Sequence, residues 1–260
     1  MINLDSIKKA SINWTNQAPF PHFIVDDFFE VDVAKKLEKE FPSFEDNVWH
    51  EYDNAIEVKK ACNNWNAFPS GTYEAFSYLN SPSFVEFLSK CLFGNSKLYC
   101  DSGLNGAGWH IHSRGGKLNT HLDYSLHPKL GLQRKLNIIV YLNSEWQSEW
   151  GGHLGLWDNE SADAPGDLIK EIEPKFNRAA IFDTTCNSWH GLPNPLECPE
   201  NQFRKSLAVY YLMEPPIDVD DRGKALFAPT AEQQHDDEVL ELIKKRSSVA
   251  SASSVYSNKG

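Results

Sequence analysis

The sequence predicts a mainly β protein of the α+β class, with a double-stranded β-helix (jelly roll) core that is buttressed by N-terminal helices. Two observations lead to this prediction. In the N-terminal third, apolar residues recur at helical spacing in two stretches that end at a proline or a glycine. From Lys97 onward, short β-type runs are separated by glycine and proline, and about eight such runs match the strand number of a jelly roll.

The first elements of the chain are a short strand and two helices. Residues 21–25 favour a strand, and the apolar spacing within 33–41 then favours a helix that ends at the following proline. A second helix is predicted over 84–92, because its apolar stripe begins after Ser-Pro and ends before a glycine. The polar and aromatic segments 48–52 and 63–66 fit two interpretations: they border a pocket, or they merely cover the sheet.

The predicted strands explain how residues far apart in the sequence can meet. In a jelly roll, alternate side chains of several strands point into the mouth of the barrel. The strand that begins at Lys135 has a mixed face with Lys135, Asn137 and Tyr141, which suits a pocket, and an aliphatic face, which suits a core. The strand that begins at Arg204 carries small residues on the arginine side. The predicted strands cover residues 98–100, 108–112, 117–123, 135–142, 153–157, 168–172, 179–182 and 203–212.

The chain is expected to divide into four parts. A capping box formed by Thr230 and Gln233 favours a last helix that runs through Lys245. The serine-rich tail after it cannot compensate for the entropy of ordering, so it is expected to be mobile. The four parts are a mixed helical buttress over 1–97, the jelly-roll core over 98–216, a C-terminal extension with a helix over 217–246, and the tail over 247–260.

Composition restricts the classes of partner. No run approaches the eighteen apolar residues of a membrane span, and the N-terminus lacks the apolar segment of a signal peptide, so no membrane association and a cytoplasmic location are expected. The net charge of −11 disfavours nucleic acid as a partner. Five scattered cysteines without a C-x-x-C pair indicate reduced thiols. No pattern in the sequence indicates an oligomeric state.

His121, Asp123 and His190 form the strongest candidate metal site. Alternate side chains of a strand share a face, so the His-x-Asp spacing aims an imidazole and a carboxylate at one point. Two neutral imidazoles and one carboxylate on one side of an ion leave the opposite positions open for substrates, as in non-haem Fe(II) oxygenases. The alternative for His190 is a packed histidine beneath Trp189. Further candidate histidines are His110, His112, His127 and His153, of which His112 is the candidate for facing a substrate.

A cation begins the last long strand of the core. Arg204 follows His190 in the sequence, and a guanidinium at the mouth of a strand can bind a carboxylate through two parallel hydrogen bonds. Lys205 is the alternative cation, and it points to the opposite face of the same strand. A metal triad with a carboxylate-binding cation indicates a metal-bound keto acid. The glycine pair 151–152 marks either a bulge or close backbone approach, or a plain turn.

The ordered motifs resemble those of the 2-oxoglutarate- and Fe(II)-dependent dioxygenases of the prolyl hydroxylase type. The resemblance covers residues 98–213, and the ordered set is far more specific than any single motif. The motifs are His121-Leu122-Asp123, Tyr141-Leu142-Asn143, Gly151-Gly152-His153-Leu154, Trp189-His190-Gly191 and Arg204-Lys205-Ser206-Leu207.

The resemblance implies a role for each site residue. His121, Asp123 and His190 would hold iron and form the catalytic centre. Arg204 would pair with the C5 carboxylate of 2-oxoglutarate, and Tyr141 would hydrogen-bond to the same carboxylate. The implied cofactors are Fe(II), 2-oxoglutarate as co-substrate and O2, with ascorbate in a supporting role. The implied reaction is a hydroxylation that converts 2-oxoglutarate into succinate and CO2.

Several substrates are compatible with this resemblance, because likeness of fold does not transfer specificity. A peptidyl proline, a free amino acid, a sugar-linked molecule and another small metabolite are the candidates. Related halogenases have a small residue in place of the carboxylate, so the presence of Asp123 favours hydroxylation over halogenation. A non-catalytic jelly-roll module with structural zinc is a second hypothesis. A cupin-type isomerase is a third, although it would have no use for the arginine.

Overall fold

A computed structural model describes residues 1–94 and 96–252 and confirms the mainly β fold with flanking helices. Five α-helices are found in the described residues, of which four precede β4 and one follows β14. Their bounds are α1 Leu4–Ala10, α2 Val31–Lys39, α3 Ser70–Leu79, α4 Pro82–Phe93 and α5 Asp237–Ser247.

Fourteen strands are found in the described residues. The two strands that were expected over 135–142 and 203–212 are the long central pair, β8 and β13. The strands are β1 His22–Val25, β2 His50–Asp53, β3 Glu57–Cys62, β4 Tyr99–Cys100, β5 Gly108–His112, β6 Lys117–Leu118, β7 His121–Leu122, β8 Gln133–Tyr141, β9 Leu154–Ser161, β10 Ala164–Ile172, β11 Ala179–Asp183, β12 His190–Gly191, β13 Arg204–Met213 and β14 Leu226–Phe227.

The strands form two antiparallel sheets. The larger sheet has the order β1-β11-β8-β13-β5-β3-β2, with β4 paired to β13 and β6 paired to β3. The smaller sheet has the order β10-β9-β12-β7-β14. Residues between the two facing sheets are shielded from water, which is the arrangement that a jelly roll uses to enclose a site.

The main hydrophobic core continues across residue 97, which was the expected limit of the N-terminal buttress. Strand β1 pairs with β11, and β3 pairs with β5, so the N-terminal third contributes strands to the larger sheet. Phe76 of α3 and Trp109 of β5 belong to the same buried cluster. The hydroxyl of Tyr211 in β13 donates a hydrogen bond of 2.8 Å to the carbonyl of Leu79. The division into four parts remains a prediction.

Two of the expected elements are divided or displaced in the structure, and α1, α3, β3 and β14 were not predicted. The strand expected over 117–123 is split into β6 and β7, because the chain passes here from the larger sheet, where β6 pairs with β3, to the smaller sheet, where β7 pairs with β12 and β14. The capping box at Thr230 closes only a short 3-10 turn, and α5 starts separately, with Asp236 as its N-cap. The Asp236 carboxylate accepts from two backbone N–H groups, so it begins a new helix.

The C-terminal serine-rich tail is described only as far as residue 252, and the part of the predicted mobile tail over 253–260 lies outside the described residues. Within the described ranges, no helix has both the length and the apolar character needed to cross a membrane.

Candidate active site

Two histidines stand directly opposite each other in the smaller sheet. His121 in β7 pairs with His190 in β12, and their ring centroids are 4.4 Å apart. Directly opposed residues of an antiparallel pair project from the same face of the sheet. The neighbouring strand β14 places Phe227 opposite His121, and the two rings stack with centroids 5.0 Å apart. Strand pairing therefore brings together two imidazoles that are far apart in the sequence.

Backbone carbonyls fix the proton position of both imidazoles. Nδ1 of His121 lies 2.9 Å from the carbonyl oxygen of Asn119, and Nδ1 of His190 lies 2.8 Å from that of Ser188. A carbonyl can only accept, so Nδ1 carries the hydrogen in each ring. The Nε2 atom of the neutral ring then keeps its lone pair for a metal, which is the usual support for a histidine ligand.

Asp123 lies just beyond β7, beside both rings. One of its carboxylate oxygens is 3.8 Å from Nε2 of His121, and the other is 3.8 Å from Nε2 of His190. Arg134 donates to the same carboxylate at 2.9 Å, and the Asn137 amide lies 3.4 Å from it. The carboxylate is therefore held from behind while it faces the imidazoles.

The electrostatics keep the three side chains in the protonation states that metal binding requires. Burial lowers the pKa of His121 to about 3, and burial also lowers the pKa of His190. Burial alone would raise the pKa of Asp123, but the Arg134 guanidinium and the two imidazoles hold it well below its usual range. At neutral pH the site therefore presents two neutral imidazoles and one carboxylate.

The donor set fits a divalent metal. One ligand atom from each of His121, Asp123 and His190 lies within 4.8 Å of the other two. Two ligand atoms bound at about 2.1 Å from one ion are at most about 4.2 Å apart, and the two carboxylate–imidazole separations of 3.8 Å already meet that limit. Nitrogen and oxygen ligands on one side only are typical of the Fe(II) triad with open positions.

A cavity of about 310 Å³ opens beside the triad, which is within the size range of small-molecule sites. Its walls come from both sheets and from the C-terminal extension. Side chains of β13 at 204, 206, 208 and 210 line it, as expected from the alternation of that strand. His50, Tyr52 and Asn63 line it as well. These three residues border the pocket, whereas Trp49 and Trp65 of the same polar and aromatic segments pack against the main core, so each interpretation holds for part of these segments.

Arg204 reaches into this cavity and Lys205 does not. The arginine is 4% exposed, and its Nε donates a 2.7 Å hydrogen bond to the carbonyl of Gly152. Gly152 has φ +74, and an added Cβ would lie 2.8 Å from the arginine Cδ, so the glycine pair marks a close backbone approach. Lys205 lies on the opposite face, with its ammonium 5.9 Å from the Phe41 ring.

No carboxylate lies within salt-bridge distance of Arg204 among the described residues. Burial lowers the pKa of the guanidinium, which means that the folded chain disfavours this charge in the absence of an anion. Tyr141 lies beneath the arginine, with its ring centroid 4.9 Å from the guanidinium carbon. Its buried hydroxyl contacts the Arg204 guanidinium and has no other hydrogen-bond partner in the described part of the chain. A cation and a hydroxyl donor are thus both available to one ligand carboxylate.

The remaining candidate histidines occupy different places. His110 and His112 of β5 both line the cavity, and His112 is buried with no hydrogen-bond partner for either ring nitrogen within the described chain. His127 lies 3.6 Å from Asp101, and His153 contacts Ser148. Neither of these two belongs to the triad.

Sequence reasoning missed Arg134 and placed Lys135 on the pocket face. The register of β8 against β13 shifts between Tyr211 and Leu212, and such a bulge reverses the direction of the side chains beyond it. Arg134 therefore lines the cavity, and the Lys135 ammonium instead contacts Asp183 at 2.6 Å. No signal in the alternation pattern marks this bulge.

Arg134 is also held by two aromatic rings. Its guanidinium carbon is 3.6 Å from the centroid of Tyr124 and 3.5 Å from that of Tyr210. Cation–π contacts on both faces leave the edge of the guanidinium to bond Asp123 and the carbonyl of Asn105. Burial lowers the pKa of Arg134, but Asp123 more than compensates and raises it.

A jelly roll that gathers two imidazoles, a carboxylate and a buried arginine around one cavity defines the class of Fe(II)- and 2-oxoglutarate-dependent oxygenases. Residues 107–212 match the family model of the 2OG-Fe(II) oxygenase superfamily. Its members use Fe(II), 2-oxoglutarate and O2.

Two curated relatives are prolyl hydroxylases by name. The chain is 28% identical over 91 residues to prolyl 3-hydroxylase OGFOD1 from Xenopus laevis, a match that covers 34% of this chain and 17% of that protein. It is 28% identical over 87 residues to the Mus musculus protein of the same name, covering 32% and 16% of the two chains. The match therefore spans about a sixth of the length of these relatives.

Solved structures share the fold at low sequence identity. A Trichoplax adhaerens prolyl hydroxylase, in complex with a peptide fragment of the hypoxia inducible factor oxygen degradation domain, superposes with a TM-score of 0.58 at 18% identity, covering 81% of this chain and 90% of that one. A Pseudomonas putida prolyl-4-hydroxylase gives 0.57 at 13% identity, covering 81% and 100%. A Phytophthora capsici prolyl 4-hydroxylase gives 0.55 at 17% identity, covering 94% and 74%.

Proposed function

We propose that this chain is an Fe(II)- and 2-oxoglutarate-dependent hydroxylase that acts on a prolyl residue of a peptide. The observation that carries the proposal is one cavity that contains the unprotonated Nε2 atoms of His121 and His190, the Asp123 carboxylate and the buried Arg204. The prolyl hydroxylases among the relatives and the fold neighbours support the prolyl part.

In this proposal His121, Asp123 and His190 hold the metal. The carbonyls behind each imidazole keep Nε2 unprotonated, and Arg134 keeps the carboxylate in place. When bound, iron and 2-oxoglutarate together supply the oxidising power that inserts one oxygen atom of O2 into a C–H bond of the substrate. The chain itself would position the metal, the co-substrate and the substrate, and the buried walls of the cavity would exclude water.

Arg204 and Tyr141 would bind the distal carboxylate of 2-oxoglutarate. The arginine is fixed through Nε by the Gly152 carbonyl, so its terminal amino groups remain for the carboxylate. The Tyr141 hydroxyl would add one donated hydrogen bond, because burial raises its pKa and keeps it protonated. Ser206 and Ala208 line the cavity on the same strand face, so small side chains leave room for the co-substrate.

The test is succinate formation from 2-oxoglutarate together with a mass gain of one oxygen in a proline-containing peptide. We expect both to require Fe(II), to be lost in His121→Ala and to persist in His153→Ala, which alters a histidine outside the triad. No succinate at any condition would favour the non-catalytic metal-binding module. If succinate forms and oxygen is added only to a small molecule from a cell extract, the substrate is a metabolite and not a prolyl peptide.

A further inference from the structure

The part of the cavity wall outside the triad, Arg134 and Arg204 carries more positive than negative charge. Lys59, Lys224 and Arg246 line it together with a single buried carboxylate, Glu57. Glu57 is shared, since it lies 3.5 Å from Lys59 and 3.0 Å from Arg246. No described carboxylate lies within salt-bridge distance of Lys224. We call Lys59, Lys224 and Arg246 the cationic mouth.

Strand register places Lys59 on the same wall as the candidate co-substrate site. Arg204 pairs with His112 across β13 and β5, and Ala61 pairs with His110 across β5 and β3. Lys59 shares a strand face with Ala61, so its side chain points into the cavity, in agreement with its place in the lining. Two strand spacings separate the backbone of Lys59 from that of Arg204 by about 10 Å. Lys59 therefore lines the same cavity as Arg204, but at a different part of its wall.

The C-terminal extension places the other two cations near the metal site. Arg246 of α5 lies with its guanidinium carbon 5.6 Å from the Phe227 ring, and Phe227 stacks on His121. Lys224 precedes β14, the strand that pairs with β7. Burial and the nearby Arg246 both lower the pKa of Lys224, as expected of a cation that lacks a counter-charge.

Binding of the cofactors does not neutralise the cationic mouth. A divalent metal and the doubly charged 2-oxoglutarate cancel each other, and Asp123 already pairs with Arg134. The chain as a whole has a net charge of −11, so a local excess of positive charge runs against the composition. A positive cleft in an acidic protein concentrates anions at the cleft and disfavours cations there.

We propose that the cationic mouth selects a substrate with a carboxylate close to the position that is hydroxylated. The inference rests on the proposed function, and for a prolyl substrate it predicts an acidic residue or a free C-terminal carboxylate near the proline. Lys224 would approach the carboxylate most freely, since Lys59 and Arg246 are already engaged by Glu57. Specificity would then come from both attraction of acidic substrates and rejection of basic ones.

The experiment compares short acetylated and amidated prolyl peptides that differ only in their flanking residues, which are aspartate, asparagine or lysine. A prolyl dipeptide with a free C-terminus is compared with the same dipeptide as its C-terminal amide. This comparison distinguishes recognition of a terminal carboxylate from recognition of a side-chain carboxylate. The enzyme variants are Lys224→Glu and Lys59→Gln. The control is Lys9→Glu, which makes the same change in net charge as Lys224→Glu on the exposed surface of α1. Succinate release without peptide checks that each variant still uses 2-oxoglutarate.

We expect kcat/KM for an acidic peptide or the free acid to exceed that of its neutral partner by at least about tenfold, and this ratio to fall as salt screens the charges. Lys224→Glu should abolish or reverse the preference, Lys59→Gln should weaken it, and Lys9→Glu should leave it unchanged. A preference for neutral or lysine-flanked peptides, or an acidic preference that survives both cavity variants, would overturn the proposal. Succinate release without turnover of any prolyl compound would instead refute the prolyl part of the proposed function.

Discussion

Replacement of Arg204 by alanine should sharply weaken the use of 2-oxoglutarate, and the same change at Lys205 should not. Arg204 is 4% exposed and lies in the cavity, whereas Lys205 faces the other side of β13. With Nε bonded to the Gly152 carbonyl, the guanidinium retains two amino groups for two parallel hydrogen bonds to a carboxylate. The pair that would be lost is therefore buried and charge-assisted.

The magnitude follows from the burial of this pair. Removal of one partner of a buried ion pair costs about 3–5 kcal/mol. At about 1.4 kcal/mol per factor of ten, that cost corresponds to roughly two to three and a half orders of magnitude in the affinity for 2-oxoglutarate. Arg204→Lys keeps the charge but loses the fork geometry, so we expect an intermediate loss.

The assay is the KM for 2-oxoglutarate from succinate release, with thermal unfolding in the presence of Mn(II) as a readout of binding without turnover. Arg204→Met removes a buried charge that has no acidic partner in the described part of the chain, which offsets the lost hydrogen bond to Gly152, so the melting temperature of the free protein should change little. It should abolish the stabilisation that 2-oxoglutarate gives to the parent protein. Equal effects of Arg204→Ala and Lys205→Ala on KM would refute this reasoning.

Three other perturbations have defined outcomes. Arg134→Gln leaves the candidate metal carboxylate without its buried cation, so metal affinity should fall about 10- to 100-fold in a Co(II) titration followed by absorbance; unchanged affinity would exclude the positioning role. Gly152→Ala should raise the KM for 2-oxoglutarate at least about tenfold, because the new methyl group displaces Arg204. The control is Gly151→Ala, which has a similar positive φ but open space around it and should therefore affect only stability. Equal effects of the two variants on KM would contradict the contact between residue 152 and Arg204. Burial lowers the pKa of His22, so only the unfolded state takes up its proton as pH falls below 6.5; the free energy of unfolding should therefore fall from pH 6.5 downward until the lower folded-state pKa is reached. This residue contributes a slope of at most about 1.4 kcal/mol per pH unit, and urea unfolding of His22→Gln at several pH values should show a correspondingly flatter dependence.

The sequence by itself determined the residue types of the site and the fold class. The His-x-Asp spacing, the later Trp-His-Gly and the arginine that opens a strand are local patterns. Strand alternation placed Arg204 and Lys205 on opposite faces, and the resemblance to the dioxygenase motifs indicated that Arg204 is the residue that faces the site. The long strands β8 and β13 were also predicted correctly, because a long buried strand is rich in apolar and β-branched residues that mark it in the sequence.

Tertiary structure alone decided which distant groups complete the site. The bulge between β8 and β13 brings Arg134 to Asp123, and no period in the sequence marks a shifted register. Lys59 lines the cavity, and Arg246 forms an ion pair with Glu57. Both arrangements likewise depend on contacts between segments far apart in the chain. Local periodicity specifies which face a side chain occupies, whereas the identity of its neighbour across the cavity depends on how the sheets pack, and that is a property of the whole fold.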